Sequence, residues 1–107
     1  MKDFWSIILS AHAQKRMQQR AITEEQIKQA LLWGDESYKK RGKVYQYSVG
    51  YRACKEASRK GVDISSCHGL VVISAPVDRG DLIVTVWWDR SPNRYQNKRM
   101  YAFQVGA

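Results

Sequence analysis

The sequence predicts an α+β domain in which two N-terminal helices pack on a mostly antiparallel sheet of four to five strands. Three observations carry that expectation. Apolar residues recur at helical spacing up to Gly34, and β-branched and aromatic residues dominate after it. Two nearly unbroken apolar runs, 70–74 and 82–88, flank the turn-forming string Asp78-Arg79-Gly80-Asp81. At 107 residues, 44% of them apolar, the chain has material for one core and no second one, so residues 1–107 are read as a single domain. Helices preceding a run of strands are the pattern of α+β layering.

The elements follow in order. Ser10 is a helix N-cap, and 11–19 is a helix free of glycine and proline. Thr23 caps a second helix, Gln26 completes a capping box, and Ile22 with Ile27 forms a hydrophobic staple. Gly34 is placed to end that helix in a left-handed turn. Residues 36–40 and 43–49 read as strands around an Arg41-Gly42 hairpin turn, with Tyr45, Tyr47 and Val49 on one face by alternation. Residues 51–60 read as a loop or a short basic helix closed by Gly61. The two apolar runs supply the central strands, Ser91-Pro92-Asn93 is a break, and 100–105 is expected as a final strand.

Charge narrows the partners. Eighteen Lys and Arg against ten Asp and Glu give a formal +8. Arg90, Arg94, Lys98 and Arg99 follow one another with no acid after Asp89. Such a surface attracts polyanions, although a solvated basic face kept for solubility would read the same way. Two cysteines, Cys54 and Cys67, are too few for a disulfide framework and read as free thiols. The apolar stretch 4–9 is short for a signal peptide and Asp3 interrupts its charged start. No stretch approaches the roughly 20 apolar residues that span a bilayer. The expectation is a cytoplasmic protein with no membrane partner.

His12, Arg16 and Arg20 stand at i, i+4 and i+8 of the first helix and so cover an arc of roughly 80°. Ala13 and Met17 beside them face the core, so the stripe borders a buried edge. Cutting a ribose–phosphate backbone requires a group that takes the 2′-hydroxyl proton, donors that hold the charged phosphate oxygens, and an acid for the leaving oxygen. A histidine fills the first or last role near neutral pH, and guanidinium forks suit phosphate. Spacing alone also fits two exposed arginines beside an edge histidine. No set of carboxylates suggests a two-metal nuclease, which argues for chemistry without a metal or other cofactor.

The stripe belongs to a longer string. His12-Ala13, Arg16-Met17, Arg20 and Ile22, then the acidic start Glu24-Glu25 and Gly34 after the second helix, resemble the opening of the DUF4258 family. The later strand Ile83-Val84-Thr85-Val86-Trp87 resembles that family's closing strand. DUF4258 proteins are similar in architecture to small RNase toxins of the RelE, BrnT and EndoU-like type. The resemblance implies a metal-independent endoribonuclease, often a toxin restrained by a cognate partner, here an acidic antitoxin or immunity protein. The matched positions are His12, Arg16, Arg20 and Thr85. Residues 52–69 look like an insertion in the family pattern.

Exposed aromatics interleaved with arginine stack unpaired bases, and Tyr47, Tyr51, Arg52 and Trp87 are the candidate RNA contacts. Trp87 and Trp88 should point to opposite faces of one strand. His68 is a second candidate acid in a Ser- and Gly-rich loop, and Cys54, Cys67, His68 and His12 match no closed zinc spacing. Two other readings stay open: a non-catalytic nucleic-acid-binding module, and a protein-interaction module that meets an acidic partner.

Overall fold

The computed structural model describes residues 6–89. In chain order these form β1 (Ser6–Leu9), α1 (Ala11–Arg20), α2 (Glu24–Trp33), β2 (Asp35–Lys39), β3 (Val44–Ser48), α3 (Tyr51–Arg59), a 3-10 turn (Ser65–Cys67), β4 (Leu70–Val77) and β5 (Gly80–Trp88). The α+β class is as expected, with three α-helices among the described residues and one five-stranded sheet of order β1-β5-β4-β3-β2. The expected strand at 100–105 and the basic run from Arg90 lie outside the described residues.

The sheet departs at one edge from the mostly antiparallel pattern expected. It is mixed, because β1 runs parallel to β5 in the register Ser6↔Gly80 to Leu9↔Ile83. The strand is four residues long and its partner lies more than seventy positions away, so no local pattern announces it. Its docking requires Gly80: a Cβ there would fall onto the Ser6 carbonyl. The other three pairings are antiparallel. A bulge between β4 and β5 sets Ile73 opposite Thr85 and Ser74 opposite Ile83, so Ile83, Val86 and Trp88 share the face of Leu70 and Val72 despite their uneven spacing.

The helices cover that face. Thr23 Oγ1 accepts from the Gln26 N–H at 3.1 Å while the Thr23 N–H donates to Gln26 Oε1 at 2.9 Å, so the capping box is complete. Ile22 and Ile27 are both buried beside it. The core joins Ala13, Ile27, Ala30, Ala53, Ala57, Ile64 and Cys67 to Val49, just after β3, and to Leu70, Val72, Ile83 and Val86 of the sheet. The helices contribute mostly alanines, which lets them lie close to the larger strand residues. Each buried Leu, Ile or Val contributes about 1.5–3 kcal/mol.

Three local differences are instructive. Gly34 ends α2 with φ −66, in extended rather than left-handed backbone. Glycine is required there for space, since a Cβ would stand 2.6 Å from the Ala30 carbonyl oxygen. The left-handed residue is Ala21 after α1, with φ 55 and ψ 48. Finally, of the two readings of 51–60 the helix holds: 52–69, which looked like an insertion, forms most of α3 and the 3-10 turn and supplies Ala53, Ala57, Ile64 and Cys67 to the core.

Candidate nucleic-acid interface

Helix α1 is tied to β5 at both ends. Ser10 Oγ accepts from the Ala13 N–H and donates to the Val84 carbonyl, each at 3.0 Å, and the Ser10 N–H donates to the Ile83 carbonyl at 3.2 Å. At the far end the Trp88 indole Nε1 donates to the Arg20 carbonyl at 2.9 Å. Between these anchors Ala13 is buried and Met17 packs against the core. The flanking stripe stands as the spacing predicts: His12 and Arg20 are exposed and Arg16 is half-buried. Among the described residues no side-chain hydrogen bond or ion pair engages His12, Arg16 or Arg20. Two guanidinium groups and an imidazole are thus presented on a fixed helix with their donors unspent.

Thr85 is half-buried and points to the face of β5 opposite Val86, the face that α1 leaves uncovered. The parallel pairing of β1 stops at Leu9↔Ile83, so among the described residues β5 has no strand neighbour on that side from Val84 onward. Thr85 can meet a ligand held by the stripe only around that edge.

The four candidate RNA contacts are not brought together. Tyr47 packs against the core on the helix-covered face. Burial, then the charges of Glu36 and Asp81 and the nearby Tyr45, push its hydroxyl up to about 12. Trp87 lies on the opposite face, about one third exposed, while Trp88 is half-buried against the core, so the two do diverge. Tyr51 opens α3 and is 69% exposed, with Lys55 Nζ 5.8 Å from its ring centroid. Arg52 forms a 3.2 Å ion pair with Asp35, and both are exposed.

A different aromatic group emerges at the β2–β3 hairpin. Tyr38 and Tyr45 are paired across the strands with ring centroids 4.9 Å apart, and Tyr45 lies 6.5 Å from Tyr47. Sequence reasoning placed Tyr45 on the face of Tyr47 but overlooked Tyr38. The available signal was the even placement of Tyr38 and Tyr45 about a turn rich in Lys and Arg.

The remaining chemical groups are dispersed. Cys67 is buried and Cys54 half-buried, both free, and burial is the main influence raising both thiols above their ordinary value. His68 is exposed at the end of the 3-10 turn. The Ser65 backbone N–H, at 3.0 Å, and then its hydroxyl hold the Asp63 carboxyl below its ordinary value. No group of three or more His, Cys, Asp or Glu converges among the described residues. A shallow cleft along α3 is lined by Tyr51, Cys54, Lys55, Ser58 and Arg59, and none of the stripe residues borders it.

Comparison with known families gives one match, to the family described as Domain of unknown function (DUF4258), over residues 9–88. The chain belongs to the DUF4258 family. The matched span runs from the last residue of β1 to the end of β5 and takes in α1 with its stripe, α3 and Thr85. No curated protein and no solved structure matches this DUF4258 chain. Among its described residues no helix is long and apolar enough to cross a membrane.

Proposed function

We propose that this DUF4258 protein is a metal-independent endoribonuclease that cleaves RNA by attack of the 2′-hydroxyl. The observation that carries the reading is the α1 stripe. His12, Arg16 and Arg20 lie on a helix hooked to β5 at Ser10 and at Arg20, and their side chains are unengaged by other described residues. Charged donors on a rigid element cost little reorganisation when a phosphate arrives.

In the proposed reaction His12 takes the 2′-hydroxyl proton as the 2′-oxygen bonds to phosphorus. The guanidinium groups of Arg16 and Arg20 hold the phosphate oxygens as charge gathers on them. The bond from phosphorus to the 5′-oxygen breaks, and that oxygen leaves with a proton taken from solvent water. One product ends in a 2′,3′-cyclic phosphate and the other in a 5′-hydroxyl. Thr85 assists by hydrogen bonding around the edge of β5 beyond Ile83, which no other described strand pairs. The reading extends DUF4258 membership to a kinship with small RNase toxins of the RelE, BrnT and EndoU-like type, and adds a cognate acidic partner that would cover the same basic stripe.

A specific feature favours a second reading, an RNA-binding module that does not cut. Among the described residues no group orients the His12 ring, whereas a general base is ordinarily held by a second partner. Purified protein incubated with total RNA in EDTA separates the two readings, with folded His12→Ala and Arg16→Ala variants alongside. New 5′-hydroxyl ends from wild type that both variants lose support the nuclease. Binding with no new ends from wild type overturns it in favour of the module.

A further inference from the structure

The register assembles one continuous row across all five strands: Leu9, Ile83, Ser74, Tyr45 and Tyr38. These residues share the face on which the helices pack. The row begins at Leu9, two residues before α1 and three before His12. At its far end the helices give out: Tyr38 is 52% exposed, and its ring lies 4.9 Å from that of half-buried Tyr45. Tyr47, packed on the core 6.5 Å from Tyr45, backs the pair from below.

Lys39 at the end of β2 and Lys40, Arg41 and Lys43 in the turn that follows make four cations in five residues with no acid among them. All four are exposed, and none has an ion-pair partner among the described residues. Two acids flank the row on its inner side: Glu36, two residues before Tyr38 and paired with Tyr47, and Asp81, which accepts from the Ser74 hydroxyl at 3.0 Å; Asp35 is engaged by Arg52. Left-handed backbone at Lys43, φ 55, belongs to the turn that displays the cluster.

From this juxtaposition we propose that the tip of the β2–β3 hairpin is a second subsite for single-stranded RNA. The Tyr38–Tyr45 pair stacks an unpaired base, and Lys40, Arg41 and Lys43 of the turn hold the adjoining phosphates. The inference rests on the nuclease reading for its choice of ligand and deepens it by naming the form of the substrate. An aromatic face accepts any base, whereas a base already stacked in a duplex is not offered to it, so the subsite selects unpaired strands without reading sequence. Charge complementarity favours a polyanion over an apolar peptide. Strand spacing puts β3 about 10 Å and β2 about 14 Å from β5, so one strand several nucleotides long spans both the stripe and the hairpin.

The test is binding of a fluorescent single-stranded 12-nucleotide RNA in EDTA, by anisotropy, across a salt series. A 2′-O-methyl group at each position removes the attacking hydroxyl and so prevents cleavage. Tyr38→Ala is expected to weaken binding about tenfold, and Tyr38→Phe to restore it, because the ring rather than the hydroxyl stacks. Lys40→Ala combined with Arg41→Ala should lower the salt slope by about 1.4, from two lost phosphate contacts. A duplex of the same sequence should be indifferent to Tyr38→Ala. Arg16→Ala serves as the separate control on the stripe. Tyr38→Ala binding as wild type, with Arg16→Ala weakened, would overturn the hairpin subsite and leave the stripe standing. No binding by wild type, together with no cleavage of total RNA, would overturn both.

Discussion

The Trp88 indole donates to the Arg20 carbonyl at 2.9 Å, joining the last residue of β5 to the last residue of α1 across 68 positions of sequence. An N–H that would otherwise need a partner at the edge of the core finds one at a helix end, where carbonyls lack intrahelical donors. The bond fixes the direction in which α1 leaves the sheet and therefore where Arg20 is presented. Replacing Trp88 by Phe keeps much of the packing and removes this donor. The expected loss is about 1 kcal/mol in urea unfolding, with faster amide exchange in the last turn of α1.

Ala21 closes α1 with φ 55, a conformation that costs a residue with a Cβ roughly 1–2 kcal/mol. Glycine avoids that cost but loses more backbone entropy on folding, roughly 0.5–1 kcal/mol. Ala21→Gly should therefore stabilise the protein by about 0.5–1 kcal/mol and raise its Tm, without changing the orientation of the stripe.

Gly80 makes the opposite case. A Cβ there cannot coexist with the Ser6 carbonyl, which is backbone and has no side-chain freedom with which to retreat. Gly80→Ala should cost about 3 kcal/mol or more, and Ser6–Leu9 should lose amide protection before the remainder of the sheet. Since β1 leads directly into Ser10 and α1, RNA binding should weaken along with it.

For the proposed nuclease, His12→Ala should lower cleavage about a hundredfold to ten-thousandfold, the usual contribution of a general base. Arg16→Ala should cost about a hundredfold to a thousandfold, as expected for one donor to a developing oxyanion. Both variants should unfold with the wild-type urea midpoint, since neither side chain is engaged within the described structure. Full cleavage by His12→Ala would remove it from the reaction.

Stability should fall at alkaline pH because of Tyr47. Its hydroxyl is raised from the ordinary value of 10.0 to about 12, chiefly by burial. The folded state therefore holds this proton more tightly than the unfolded chain does. Its contribution is fully present below about pH 10 and is lost as pH rises towards 12. Urea midpoints measured between pH 9 and 11.5 should decline, and Tyr47→Phe should flatten the decline.

The residues by themselves determined what depends on near neighbours. Ser10, Thr23 and Gln26 mark helix starts because a cap needs only a side-chain oxygen within a few residues of a free N–H. The spacing of His12, Arg16 and Arg20 on α1 follows from 3.6 residues per turn, so the stripe was legible without coordinates. Only tertiary structure decided the parallel docking of β1, the bulge that turns Thr85 away from the helices, and the placing of Trp87 and Tyr47 on opposite faces. It also decided that Gly34 is present for space, and that Leu9, Ile83, Ser74, Tyr45 and Tyr38 form one row. The reason is physical: capping and helical periodicity are local, whereas register couples strands far apart in sequence, and one displaced residue reverses the face of every side chain beyond it.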